Sequence, residues 1–218
     1  MYPNWDIYAL IIYGFIPFNS YNNYHNRIMK IPYGSCVSWR IPPAQNGFID
    51  KIFGYLQNLF TNCEETHCSI IMSEYPENDA YYEFEQSVTA RINIYDGNPN
   101  STVFDIKAGW LEKEIVLETM IKNIGQVYGF AQTLIFIVRW LLELVGIDGR
   151  RLWNPLGFLS ICSEATYYYL ADLAEIMQWS DLRDYLKEWN PNTFHSGDFR
   201  EVLDWMVERN YAQKIKGE

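Results

Sequence analysis

The chain has 218 residues, of which 49% are hydrophobic and 17% aromatic, while only 20% carry a charge. This length is sufficient for one substantial hydrophobic core, and the composition excludes a disordered or fibrous chain. The formal net charge of −10, from 17 basic and 27 acidic residues, argues against a nucleic-acid-binding protein, because neutralising phosphates requires a basic surface. We expect a single domain over residues 1–218, with residues 1–30 as an N-terminal extension and residues 180–218 as a helical tail packed on the domain.

The first half of the chain has mainly the composition of β-strands. Its strand-like segments are rich in β-branched and aromatic residues and are bounded by turn-forming residues. They cover residues 30–41, 68–72, 80–95 (with a polar break near residues 86–87) and 102–106. Between the first two, residues 47–60 have apolar residues at helical spacing, which predicts one helix within this half.

The second half of the chain has the spacing of amphipathic helices. The predicted helices cover residues 111–124, 129–145 and 162–179, and two shorter amphipathic pieces follow within residues 180–212, divided by Asn190-Pro191-Asn192. Strands followed by helices are typical of an α+β domain rather than of alternating βαβ units. We therefore predict the α+β class.

Residues 127–147 are mostly apolar and have the length of a membrane-spanning helix. Arg139 and Glu143 lie in the middle of this segment, four residues apart and so on one helical face. Placing both in hydrocarbon would cost several kcal/mol. We predict a buried amphipathic helix and no transmembrane segment. We also expect no secretory signal, because Asp6 interrupts the N-terminal apolar region and no basic residues precede it.

Four cysteines, at positions 36, 63, 68 and 162, are too few for a disulfide scaffold at this length. We expect reduced thiols. Cys63 and Cys68 are five residues apart with no second pair downstream, which does not fit a zinc site. No metal and no cofactor are predicted. Cys36, Cys63 and Cys68 are interpreted as core or partly exposed thiols.

Three kinds of side chain form a candidate constellation. His67 begins a strand-like run, Cys162 begins a predicted helix, and Glu83 and Glu85 share one face of a predicted strand. A cysteine at a helix N-terminus has a lowered pKa, and a histidine oriented by a carboxylate can activate it as a nucleophile. Each also has a structural alternative: a locally packed histidine, a buried structural cysteine, and solvent-facing glutamates. The other histidines, His25 and His195, are expected at the surface.

The order of these motifs resembles a known family. Thr-His-Cys-Ser-Ile-Ile comes first, then Tyr-Glu-Phe-Glu-Gln-Ser, then Gln-Val-Tyr-Gly-Phe, and finally Ile-Cys-Ser-Glu. Over about residues 32–199 this is similar to the circularly permuted branch of the NlpC-type, papain-like cysteine hydrolases, the YiiX-like enzymes. Two departures are Gly34-Ser35-Cys36, where the family usually has Gly-Asp, and Cys68, where an aliphatic residue is usual.

The resemblance implies a fold and a set of roles. The fold would be a permuted papain-like (NlpC-type) fold with an antiparallel sheet packed against helices. Cys162 would be the nucleophile and His67 the base. Glu85 would orient the histidine, with Glu83 as the alternative. The substrate and oxyanion pocket would be lined by further residues, namely Tyr128, Glu83 and Ser163.

The implied function is cleavage of an amide bond through a thioester, with a peptide or peptidoglycan-like substrate. Two alternatives remain open. One is a lipid acyltransferase or thioesterase on the same fold, in which the helix over residues 129–145 would face lipid. The other is a catalytically silent structural module, for example a virion-associated protein.

Overall fold

A computed structural model of the chain describes residues 30–40, 63–73, 81–86, 90–95, 100–122, 124–125, 133–152 and 162–216. Six β-strands and five α-helices lie within these residues. The strands are β1 Cys36–Arg40, β2 Glu65–Ile71, β3 Tyr81–Gln86, β4 Ala90–Tyr95, β5 Ser101–Ile106 and β6 Ala212–Lys216. The helices are α1 Trp110–Ile121, α2 Thr133–Leu144, α3 Cys162–Ile176, α4 Ser180–Leu186 and α5 Ser196–Glu208, with a 3-10 turn at Pro191–Thr193.

The strands form one sheet in the order β4-β3-β2-β1-β5-β6, and every neighbouring pair is antiparallel. The predicted α+β class with an antiparallel sheet is confirmed. Residues 80–95 divide at the predicted polar break into β3 and β4. The helix predicted over residues 47–60 and residues 1–29 of the predicted extension lie outside the described residues.

The tail of the chain ends in a strand, which the sequence analysis did not predict. Helix α5 stops at Arg209, and Asn210 adopts a positive φ of 65°, the left-handed conformation that commonly ends a helix. The following segment, β6, then pairs with β5, so that Ala212 lies opposite Ile106. A short polar strand of this kind covers an edge that would otherwise expose unpaired backbone groups.

The two faces of the sheet pack against different sets of residues, because side chains alternate along each strand. Helices α3 and α5 both contact β2 on one face. Cys68, Ile70 and Phe84 contribute to that core together with α3 residues, while Ile71 belongs to the cluster on the opposite face. Helix α3 is thereby held against the middle of the sheet.

Gly34 fixes the approach of helix α3 to the start of β1. Its φ is +71°, a conformation that L side chains rarely adopt, and an added Cβ would lie 2.6 Å from the Tyr169 hydroxyl. That hydroxyl donates a hydrogen bond of 2.7 Å to the Gly34 carbonyl. A glycine is therefore needed where the sheet and α3 meet.

Helix α2 buries Arg139 and exposes apolar residues, which differs from the buried amphipathic helix that we predicted. Arg139 is only 5% exposed, and it donates to Glu143 at 2.7 Å and to both carboxylate oxygens of Asp198 at 2.5 and 2.9 Å. Val138 and Leu141 are exposed. The ion pair with Asp198 joins the buried face of α2 to α5. Among the described residues, no helix is long and apolar enough to cross a membrane.

His195 is buried, so the expectation of a surface histidine is wrong. It precedes α5 as its N-cap and is 6% exposed. Its Nδ1 accepts hydrogen bonds from the backbone N–H groups of Gly197 and Asp198, at 3.1 and 3.2 Å, and the Asp198 carboxylate accepts from the His195 N–H at 2.9 Å. This reciprocal capping gives His195 a structural role that its polar sequence context did not indicate.

Candidate active site

Cys162 is the first residue of helix α3, as predicted, and only 3% of it is exposed. The helix forms because buried residues recur every three or four positions: Cys162, Thr166, Tyr169, Leu170 and Leu173. Glu164 lies in the first turn, where a negative charge complements the helix dipole. The Cys162 sulfur therefore lies at the positive end of a helix that packs on β2.

The pKa of the Cys162 thiol lies well below its ordinary value, although the residue is fully buried. The largest cause is a hydrogen bond from the Cys68 side chain, and burial opposes it by raising the pKa. The charge of His67 and a hydrogen bond from its side chain lower the pKa further. These groups stabilise a thiolate in a place where desolvation alone would suppress it.

Cys68 interacts directly with Cys162, a relationship that sequence reasoning missed. It lies in β2, is 1% exposed, and its sulfur is 3.3 Å from the Thr166 hydroxyl, one helical turn after Cys162. Burial raises the pKa of the Cys68 thiol, and the neighbouring Cys162 raises it further. Of the two thiols, Cys162 is at the helix N-terminus and is the one that His67 acts on, so we assign the negative charge to it.

His67 is the third residue of β2 rather than its first, and it lies beside an irregularity in the sheet. Trp39 pairs with His67, but the next β1 residue, Arg40, pairs with Glu65, so β2 contains one extra residue there. The extra residue is Thr66, so the pairing of His67 with Trp39 continues the register of the preceding β1 residues, Cys36 to Ser38. His67 interacts with Cys162 while its ring centroid stays 6.4 Å from that of Trp39.

Behind His67, a chain of hydrogen bonds fixes Trp39. The Trp39 indole N–H donates to the Ser69 hydroxyl at 3.0 Å, and Ser69 donates to the Glu83 carboxylate at 2.5 Å. Glu83 is only 1% exposed, so the alternative of solvent-facing glutamates is wrong for this residue. The Glu83 carboxylate accepts a hydrogen bond from Ser69, and Ser69 in turn accepts one from the indole of Trp39, which packs beside His67.

Glu85, the predicted orienting residue, pairs with Ser69 in the β2–β3 ladder. His67 is two residues from Ser69, so the backbones of Glu85 and His67 are diagonal neighbours across the ladder. Diagonal neighbours are about 7–8 Å apart, within reach of long side chains. The side chain of Glu85 lies outside the described part of the structure, and its orienting role stays a prediction.

The remaining predicted pocket residues are Ser163 and Tyr128. The Ser163 hydroxyl donates a hydrogen bond of 2.5 Å to the carbonyl of buried Phe194, which follows the 3-10 turn. This contact ties the first turn of α3 to the loop before α5. Tyr128 lies outside the described residues.

No disulfide joins any of the four cysteines in the structure. The expectation of reduced thiols stays a prediction. Within the described ranges, no three His, Cys, Asp or Glu side chains cluster in a way that could hold a metal ion. Cys162 and His67 can together act as a buried thiolate with an adjacent imidazole, an arrangement that suits nucleophilic catalysis.

No family model, curated protein or solved structure gives a significant match to this chain.

Proposed function

We propose that this protein is a cysteine hydrolase of the circularly permuted, NlpC-type papain-like class, which cleaves a peptide or cell-wall peptide amide bond. The observation that carries the proposal is the placement of the buried Cys162 thiol at the start of α3, where His67 acts on it and lowers its pKa. A structural cysteine in an apolar core would instead have a raised pKa, as Cys36 has through burial. The order of the motifs along the chain agrees with this class.

In the proposed reaction, His67 holds the proton that Cys162 gives up. The thiolate attacks the carbonyl carbon of the amide, and the carbonyl oxygen becomes an oxyanion. The backbone N–H of Cys162, at the helix N-terminus, and the hydroxyl of Tyr128 are the proposed donors to it. Loss of one such donor typically costs about 3–4 kcal/mol of barrier. His67 then protonates the leaving amine, and water hydrolyses the thioester.

Residues behind His67 have positioning roles in this proposal. Glu85 orients the imidazole, as the resemblance implies. Glu83 and Ser69 hold Trp39, which contacts the His67 ring. Ser163 secures the first turn of α3 through its hydrogen bond to the Phe194 carbonyl. Its place in the substrate pocket stays a prediction.

A second candidate function is acyl transfer or thioester hydrolysis on a lipid substrate with the same nucleophile. The specific observation in its favour is the exposed apolar surface of α2 and the residues after it. The exposed side chains are Val138, Leu141, Leu144, Val145 and Ile147. Contiguous exposed apolar residues of this kind often mark an interaction surface, which for this alternative would be a lipid surface.

The experiment uses the full chain with three probes: a library of peptide amides, soluble peptidoglycan fragments, and phosphatidylcholine vesicles. Products are measured for the wild type, Cys162→Ser and the matched control Cys63→Ser. The proposal predicts new amines from the peptide or peptidoglycan probe, and an acyl adduct mapped to Cys162 by mass spectrometry. Cys162→Ser abolishes both, and Cys63→Ser leaves both unchanged.

Release of fatty acid from vesicles without amide cleavage would favour the lipid function. Equal turnover by wild type and Cys162→Ser, or no adduct on Cys162 with any probe, would overturn both functions.

A further inference from the structure

Two thiols meet at the junction of β2 and α3, and acyl transfer requires only one. Cys68 and Cys162 are both buried, and their side chains interact directly. Thr166 contacts both cysteines. Its hydroxyl is 3.3 Å from the Cys68 sulfur and donates a hydrogen bond to the Cys162 carbonyl at 3.2 Å. Cys68 thus faces the first turn of α3, where the nucleophile is.

We propose that Cys68 and Cys162 form a reversible disulfide when a hydroperoxide reaches the site, and that this bond switches the nucleophile off. The inference rests on the Cys162 thiolate of the proposed function, but it does not depend on which acyl group the protein transfers. It assigns Cys68 the part of a resolving cysteine, a thiol that captures an oxidised neighbour.

The chemistry proceeds in two steps with hydrogen peroxide as the oxidant. The Cys162 thiolate attacks one peroxide oxygen, an S–O bond forms, the O–O bond breaks, and hydroxide leaves. Cys162 is then a sulfenic acid. The Cys68 sulfur attacks the Cys162 sulfur, an S–S bond forms, the S–O bond breaks, and the departing hydroxide takes the Cys68 proton as water. Overall, two thiols and one peroxide give one disulfide and two waters, and a dithiol reductant reverses the change.

The other two cysteines are placed differently. Cys36 is buried on β1. It pairs with Ile70, whereas Cys68 pairs with Ser38, so the two cysteines lie at different positions along the β1–β2 ladder. The Cys63 sulfur donates to the Glu65 carbonyl at 3.2 Å and lies beside Gly197, at the start of α5. The direct interaction of the Cys162 side chain with another thiol is with Cys68.

A resolving thiol in contact with the nucleophile has a defined chemical consequence. A sulfenic acid that meets a thiol at once becomes a disulfide, whereas one without a partner is oxidised further to sulfinic acid, which thiols cannot reduce. The pair would therefore protect Cys162 from irreversible oxidation. The variant Cys68→Ser keeps a small polar side chain that can hydrogen-bond Thr166, but it cannot resolve the sulfenic acid.

The test treats the full-length wild type, Cys68→Ser and the matched control Cys63→Ser with hydrogen peroxide. Remaining thiols are blocked at acid pH, and peptides are mapped by mass spectrometry without reduction. We expect a cross-linked peptide pair containing Cys68 and Cys162 in the wild type and in Cys63→Ser, removed by dithiothreitol with recovery of Cys162 alkylation. In Cys68→Ser we expect Cys162 sulfinic acid instead.

The inference is overturned if the wild type accumulates Cys162 sulfinic acid as fast as Cys68→Ser while Cys68 stays reduced. If Cys68→Ser fails to fold, the wild-type peptide map decides alone: Cys162 sulfinic acid without a Cys68–Cys162 cross-link overturns the inference. Alkylation of untreated wild type separates the two proposals. If Cys162 keeps a far larger fraction of its pH 9 alkylation rate at pH 6 than glutathione does, but forms no disulfide after peroxide, the disulfide alone is refuted. If that ratio equals the ratio of glutathione, the thiolate is refuted and with it both proposals.

Discussion

Replacing Ser69 with alanine removes the link between Trp39 and the Glu83 carboxylate. The Ser69 hydroxyl makes two buried hydrogen bonds, donating to Glu83 at 2.5 Å and accepting from Trp39 at 3.0 Å. A hydrogen bond to a charged group contributes about 1.5–3 kcal/mol and a neutral one about 0.5–1.5 kcal/mol. Ser69→Ala should therefore lower the free energy of unfolding by about 2–4 kcal/mol.

The same variant should also change the site, because Trp39 packs beside His67. With Trp39 released, His67 is less well held beside Cys162, and the pH midpoint of Cys162 alkylation should rise. Urea unfolding gives the stability, and iodoacetamide alkylation mapped to Cys162 gives the midpoint. Ser73→Ala is the matched control: its hydroxyl accepts a hydrogen bond from the Tyr82 N–H at 3.0 Å near the other end of the β2–β3 pair.

Two results would refute this reasoning. If Ser69→Ala changes the free energy of unfolding by no more than Ser73→Ala does, the buried chain of hydrogen bonds contributes little. If the stability falls as expected but the alkylation midpoint stays at the wild-type value, Trp39 does not position His67.

Three further predictions concern the surroundings of α3. Arg139→Met leaves the Asp198 carboxylate buried without its cation and should lower the free energy of unfolding in urea by about 3–5 kcal/mol. Adding Asp198→Asn should recover part of this loss. An equal loss in the single and the double variant would refute the pairing. Ser163→Ala should lower the free energy of unfolding by about 1–3 kcal/mol without changing the pH midpoint of Cys162 alkylation. A shifted midpoint would instead favour a direct role of Ser163 in the site. Burial holds the pKa of His195 below its ordinary value of 6.5, despite the opposing charge of Asp198. The unfolded chain therefore binds a proton that the folded chain does not, and stability should fall as the pH drops below about 6.5. His195→Asn keeps a capping acceptor and should flatten that fall in pH-dependent thermal unfolding; an unchanged slope would contradict it.

Local features of the site could be predicted from the sequence. Cys162 begins a helix because an apolar stripe of helical period starts there, and that period is visible in the sequence. The β-branched and aromatic segments became strands, and Glu83 and Glu85 fall on one strand face by simple alternation. Each of these inferences depends only on residues close together in the chain.

Features that depend on long-range pairing could not be predicted. The extra residue in β2 beside His67 is a property of the β1–β2 register and leaves no signal in either strand alone. Cys68 meets Thr166 across 98 residues of sequence. The Arg139–Asp198 ion pair on the buried face of α2 joins residues 59 apart. The unusual Cys68 in the His67 motif was the one available hint of the second thiol.

The central claim is that Cys162 is a thiolate maintained by His67, and the pH dependence of its alkylation tests this most directly. The ratio of the rates at pH 6 and pH 9 is independent of how accessible the buried sulfur is. An ordinary thiol with a pKa of about 8.5, such as glutathione, keeps less than about 1% of its pH 9 rate at pH 6.

We predict that Cys162 in the wild type keeps a far larger fraction of its pH 9 rate at pH 6 than glutathione does, because Cys68 and His67 hold the pKa of its thiol well below the ordinary value. In His67→Ala the ratio should fall toward that of glutathione. A wild-type ratio equal to that of glutathione and unchanged by His67→Ala would contradict the account.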